Sequence, residues 1–141
     1  MLIREAPATE LTVATRILAR AGVLAADGRM ALLVGSEVVY LPGRGVSAAA
    51  MTPYDVAAVR LADGLVLGGD PPEDAERYLA GLRSAGAARA AALRSDGTLV
   101  TASSARECVA ALLGRPYEDL EAEARLTGAL FGAYPPGSEL R

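Results

Sequence analysis

The sequence predicts an α/β (α+β) domain, with a central, largely antiparallel sheet covered by helices. Three observations lead there. Short strand-like runs are joined in pairs by tight-turn signals at Gly35-Ser36, Ala62-Asp63-Gly64 and Asp96-Gly97. Stretches with apolar residues at helical spacing, several of them capped, separate these pairs. No linker, internal repeat or low-complexity stretch divides the 141 residues, so a single domain spanning 1–141 is expected.

In chain order, the first helix is expected over Glu10–Arg20, where Leu11, Ala14, Leu18 and Ala19 form an apolar face and Gly22 is the stop. Met30–Val34 and Glu37–Leu41 flank Gly35-Ser36 as a hairpin. Pro42-Gly43-Arg44-Gly45 then breaks into a loop. Thr52-Pro53-Tyr54-Asp55 reads as one helical turn, capped by Thr52 with Pro53 at its first position. Val56–Leu61 and Leu65–Leu67 form a second hairpin, and Asp70 and Pro71 open a helix running to about Ser84. That reading puts Glu73 and Asp74 in the first turn and Tyr78 on the same face as Asp74. It also pairs Glu73 with Arg77 as a solvated (i, i+4) couple. Ala88–Leu93 and Thr98–Thr101 make the third strand pair. Ser104 and Glu107 form a capping-box pattern opening a helix to about Leu113. Glu118–Phe131 is the last helix, ended by Gly132 and Pro135-Pro136.

Composition narrows the chemistry. There is no Lys, so Schiff-base catalysis is excluded, and no His, so imidazole relays and imidazole metal ligation are excluded too. Asn, Gln and Trp are also missing, leaving Asp, Glu, Tyr, Arg, Ser, Thr, Cys108 and the backbone. The single Cys108 excludes an internal disulfide and any multi-cysteine zinc site, and its place in a predicted helix suits a buried filler. A net charge of −3 with few aromatics lacks the footprint of a nucleic-acid binder, so no nucleic-acid partner is expected. No apolar run approaches the roughly 20 residues of a membrane span, and no signal-peptide pattern opens the chain. A cytoplasmic location is therefore expected. The core must be built mainly from Ala, Val and Leu, which bury little area each, so a homo-oligomer is expected to add burial.

Several stretches, in this order, resemble the class II aldolase/adducin-head family. ATRILARAGVLAADGR is similar to its opening helix and Gly-Asn-x-Ser turn, and VVYLPGRGV to its Thr-Pro-Ser-Gly loop. MTPYDVAAVRLADGLVLGG is similar to its TPEDVVVVDLDG strand pair, and DPPEDAERYLAGLRSAGA to the PSSE segment with its first metal histidine. LRSDGTLVTASSARECVAAL resembles the later NHG strand and helix, and LEAEARL the closing helix. The resemblance implies a class II aldolase-like fold and, in intact members, a Glu acid/base beside a histidine-held divalent metal that polarises an enolate. Carried over, Asp74 occupies the catalytic carboxylate position, with Glu73 the neighbouring alternative. Tyr78 stands at the first histidine and Asp96 at the NHG histidine. Leu93 and Ser95 fall on the H-x-H pair in a gapless alignment. Arg29 and Ala31 replace the Asn and Ser of the first turn, and Leu41 the Thr of the second. The ancestral metal site is thus lost, and neither metal nor other cofactor is expected.

The candidate site is accordingly Asp74, Tyr78 and Asp96 for catalysis, with Arg29, Arg44 and Glu73 binding substrate. Arg29 and Arg44 lie in loops that the resemblance places around an anion, and Arg grips carboxylate or phosphate in two-pronged geometry. Each residue also has a structural explanation. Acids suit a helix first turn, Tyr78 suits the core beside Ala75, Leu79 and Leu82, and Asp96 before Gly97 suits a turn. Two functions remain open. One is a metal-independent lyase, isomerase or cyclase acting on an activated small-molecule carbonyl compound, a role that suits a specialised biosynthetic pathway. The other is a non-catalytic, oligomeric ligand- or partner-binding module.

Overall fold

A computed structural model describes residues 3–134. The elements are α1 (Glu5–Ala21), β1 (Met30–Val34), β2 (Val38–Pro42), a 3-10 turn (Pro53–Asp55), β3 (Val56–Arg60), β4 (Val66–Gly68), α2 (Ala75–Ser84), β5 (Ala90–Leu93), β6 (Leu99–Ala102), α3 (Ala105–Leu113) and α4 (Tyr117–Leu126). The strands form one six-stranded sheet in the order β4-β3-β2-β1-β5-β6, with every neighbouring pair antiparallel.

Side-chain alternation along the strands divides the core into two layers. Met30, Leu32, Tyr40, Val56, Ala58, Ala90 and Ala92 face α1, α3 and α4. Ala31, Val39, Leu41, Val59, Ala91 and Leu93 face Tyr78, Leu79 and Leu82 of α2. The run Ala90-Ala91-Ala92 belongs where helices press on both sides of one strand, since α2 and α3 both pack on β5 and a larger side chain would hold them off.

The capped turns follow the sequence. Thr52 and Asp55 close a reciprocal capping box around the 3-10 turn. Ser104 Oγ accepts the Glu107 N–H at 3.0 Å, but the Glu107 carboxylate takes the Ser103 hydroxyl instead of completing a box. Helix α1 starts five residues before the expected Glu10. Pro7 falls within its first turn, where the missing N–H has no helical acceptor to lose. Helix α4 stops at Leu126 rather than Phe131. The Thr127 hydroxyl folds back onto the carbonyls of Glu123 and Ala124, and Gly128 follows in a left-handed conformation. The expected stop at Pro135-Pro136 lies outside the described residues. The β1–β2 connection uses three residues, 35–37, because Val34 pairs with Val38.

Arg16, in α1, is buried and ties distant segments together. Its guanidinium donates to the carbonyls of Met51 at 2.7 Å and Phe131 at 2.5 Å, and burial lowers its pKa. Among the described residues no helix is long and apolar enough to cross a membrane.

Candidate functional site

The antiparallel order brings the start of β1, the end of β2, the start of β3 and the ends of β4 and β5 to one end of the sheet. The connections carrying Arg29, Arg44, Asp70–Asp74 and Asp96 therefore all emerge at that end. Main-chain bonds brace the β2–β3 connection and tie it to the one after β4. The Gly43 N–H reaches the Asp55 carbonyl and the Arg44 N–H the Asp70 carbonyl, both at 2.8 Å. Gly69 makes the exit from β4 with φ +71°, and a Cβ there would meet the Ala57 backbone at 3.0 Å.

The helix after this exit begins at Ala75, with Asp74 in the N-cap position, rather than at Asp70. Asp70 and Pro71 each precede a proline, and that steric clash keeps both out of the helical region. Glu73 and Asp74 consequently lie ahead of the helix. Asp74 does not cap its own helix with its carboxylate. Oδ1 instead receives Arg29 Nη1 at 2.5 Å. Glu73 pairs with Arg44 at 2.7 Å, not with Arg77, whose guanidinium donates to the Gly97 carbonyl at 2.5 Å. The Arg44 contacts with Glu73 and Asp70 are exposed and of small energetic value.

Tyr78 is fully buried in the α2 layer, and its hydroxyl oxygen accepts the Arg29 backbone N–H at 3.1 Å. Burial, with the Asp74 charge adding, raises its pKa above the ordinary tyrosine range, partly offset by the Arg29 N–H. Tyr78, expected to act on substrate, lies in the core, where its hydroxyl holds the backbone at Arg29. Asp74 stands ahead of α2 instead of sharing a helix face with Tyr78 as expected, yet both converge on Arg29. Asp96 stands apart. Its carboxylate accepts from the Thr98 hydroxyl and backbone N–H, which hold its pKa down, and it closes the β5–β6 turn without touching the Arg29 cluster.

Beside Arg29 opens a cavity of about 550 Å³ between the turn at residues 24–29 and the loop at residues 45–49. Its charged lining groups are Arg29 and Asp27; Asp74, Tyr78, Arg44 and Glu73 lie outside it. Gly28 makes the turn possible. A Cβ at this position would lie 2.8 Å from the Ala25 nitrogen and 2.9 Å from the Leu93 carbonyl oxygen. Arg29 itself is only 9% exposed. Asp74 holds Nη1, while Nε is buried without a partner and Nη2 makes no hydrogen bond among the described residues. The loop at 45–49 and Asp27 escape a reading of the sequence. The loop has no signature beyond Ser and Ala, and only the Ala-Asp-Gly turn chemistry before Arg29 marks Asp27.

The donor set does not fit the metal that the sequence resemblance implies. Tyr78 and Leu93, at two of its histidine positions, are core residues, while Ser95 and Asp96 occupy an exposed turn. No group of three or more His, Cys, Asp or Glu side chains with metal-holding geometry occurs among the described residues.

An antiparallel six-stranded sheet with helices on both faces defines an aldolase-like α/β fold. Solved structures share it. YgbL of Klebsiella pneumoniae, for which aldolase, epimerase or decarboxylase activity has been suggested, superposes with a TM-score of 0.63 at 15% identity, covering 88% of this chain and 89% of its own. YgbL of Escherichia coli, of the same suggested activity, matches with a TM-score of 0.55 at 22% identity over 62% of this chain, a span of 43% of the E. coli chain. No family model and no curated protein matches the sequence. At these identities the likeness establishes the fold.

Proposed function

We propose that this chain is a small-molecule-binding domain on an aldolase-like scaffold, whose cavity takes an anionic ligand, in the first instance a carboxylate, on Arg29. One observation carries this reading: the guanidinium is committed to Asp74 through Nη1 alone. Nε and Nη2 form the remaining edge of the planar group, and that fork matches the two oxygens of a carboxylate. A buried donor without an acceptor costs roughly 1–3 kcal/mol, so a ligand oxygen delivered there relieves an existing penalty. Nε is itself buried, so two-pronged engagement requires the side chain to shift on binding. The cavity volume of about 550 Å³ suits a small molecule. In this reading Arg29 binds, while Asp74 and Tyr78 position it. Arg44 and Glu73 pair with each other outside the cavity, and Asp96 is a turn residue. With Ala31 and Leu41 buried in the α2 layer, the hydroxyls of the resembling family's phosphate turns are replaced by core packing.

A second reading is a metal-independent lyase, isomerase or cyclase acting on an activated carbonyl compound. It is favoured by Asp74, whose side chain is 39% exposed and whose Oδ2 lies outside the bond to Arg29. A positioned acid/base of this kind contributes typically about 10²–10⁴-fold, enough for enolisation or dehydration of an activated substrate.

Calorimetric titration with propionate and phosphate, repeated on Arg29→Met, tests the first reading. Carboxylate binding should stabilise the native protein by mass action and disappear in the variant. Absence of binding, or equal binding by Arg29→Met, overturns it. For the second reading, turnover of a carbonyl compound that survives Asp74→Asn removes Asp74 from the mechanism.

A further inference from the structure

Resting on the carboxylate reading of Arg29, we infer that the cavity ligand is a zwitterion of the amino-acid type, its ammonium group taken by Asp27. Arg29 and Asp27 are the charged groups lining the cavity, one of each sign, on either side of Gly28. The remaining lining side chains are small, among them Ala19, Leu24, Val46 and Ala48, with Ser47 adding a hydroxyl.

What distinguishes Asp27 is the state of its neighbours. At this end of the sheet the other acidic side chains are engaged. Asp74 binds Arg29, Glu73 and Asp70 bind Arg44, and Asp96 binds Thr98. Asp27 has neither an ion-pair nor a hydrogen-bond partner among the described residues. Its place is fixed all the same. The Gly28 N–H donates to the Ala25 carbonyl at 2.8 Å and the Ala25 N–H to the Leu93 carbonyl at 3.0 Å, so the turn is anchored to β5. A site holding one guanidinium with unmet donors and one uncompensated carboxylate is complementary to a ligand carrying both charges. A phosphate or dicarboxylate would gain Arg29 but meet repulsion from Asp27. The small lining side chains suit a ligand whose own side chain is short.

Alanine, propionate and ethylamine, matched in size, separate the two charges by calorimetry on the native protein, Asp27→Asn and Arg29→Met. Asp27 is exposed, so its pairing with an ammonium group should favour alanine over propionate by roughly two- to fivefold. Asp27→Asn should lower alanine binding to the level of propionate and leave propionate at least as tight as before. Native protein that binds propionate as tightly as alanine overturns the zwitterion inference, as does an alanine preference that persists in Asp27→Asn. In both cases the Arg29 reading stands. If neither carboxylate binds, or if Arg29→Met binds both as the native protein does, the Arg29 reading fails and this inference falls with it.

Discussion

Replacing Tyr78 with Phe removes one oxygen and tests whether this residue positions the site or reacts in it. The phenol is fully buried and accepts the Arg29 N–H at 3.1 Å, while Arg29 is 9% exposed. In the variant that N–H keeps neither its acceptor nor access to water. Such a loss costs roughly 1–3 kcal/mol. For a chain of this length the midpoint moves about 3–4 °C per kcal/mol, so thermal unfolding followed by circular dichroism should shift down by roughly 3–12 °C. Carboxylate affinity should weaken in parallel, because the bond holds the backbone that carries the Arg29 side chain. The pH dependence supplies a second arm. Burial raises the Tyr78 pKa above its ordinary value of 10.0, so the neutral phenol stabilises the fold fully below pH 10. That contribution is lost as pH rises through the elevated folded-state value, and Tyr78→Phe should abolish this part of the alkaline loss. A variant with unchanged midpoint and unchanged alkaline slope would refute the positioning role. Native stability with loss of a turnover reaction would make the hydroxyl a chemical participant.

Two further perturbations bear on the same region and on the core. Gly28→Ala drives a methyl group against backbone atoms at 2.8 and 2.9 Å, which no side-chain rotation relieves; urea titration should show a loss of roughly 1–3 kcal/mol together with weaker propionate binding. Burial pushes the pKa of the Cys108 thiol from 9.0 up to about 11, which at about 1.4 kcal/mol per tenfold change in the ionisation constant is roughly 3 kcal/mol. Its contribution is therefore present below pH 9 and lost as pH rises to about 11, so the stability difference between native protein and Cys108→Ala should shrink by roughly 3 kcal/mol across that interval. A difference that stays constant with pH would show that the thiol does not titrate there.

The local signals were readable where a short stretch carries its own reason. Thr52-Pro53-Tyr54-Asp55 closes the capping box its residues prescribe, Ser104 caps α3, and each expected strand pair forms a hairpin. Element ends were less legible because competing local rules act there. Pro7 is tolerated inside α1, whereas Pro71 and Pro72 delay α2 to Ala75. The solvated pair expected between Glu73 and Arg77 did not form, because the delayed helix leaves Glu73 beside Arg44 and Arg77 beside Gly97.

The amino-acid sequence alone settled which functional groups exist: with no imidazole and no primary side-chain amine, histidine ligation and Schiff-base chemistry have no bearer on this chain. It also settled the alternation of hairpins and helices, since turns, caps and periodicity act over a few residues. Tertiary structure decided what those groups do. Arg29 meets Asp74 across 45 residues and Tyr78 across 49, and a cavity opens between loops that share no motif. Contacts of that range depend on sheet order and on which layer each helix covers, and these follow from packing the whole core.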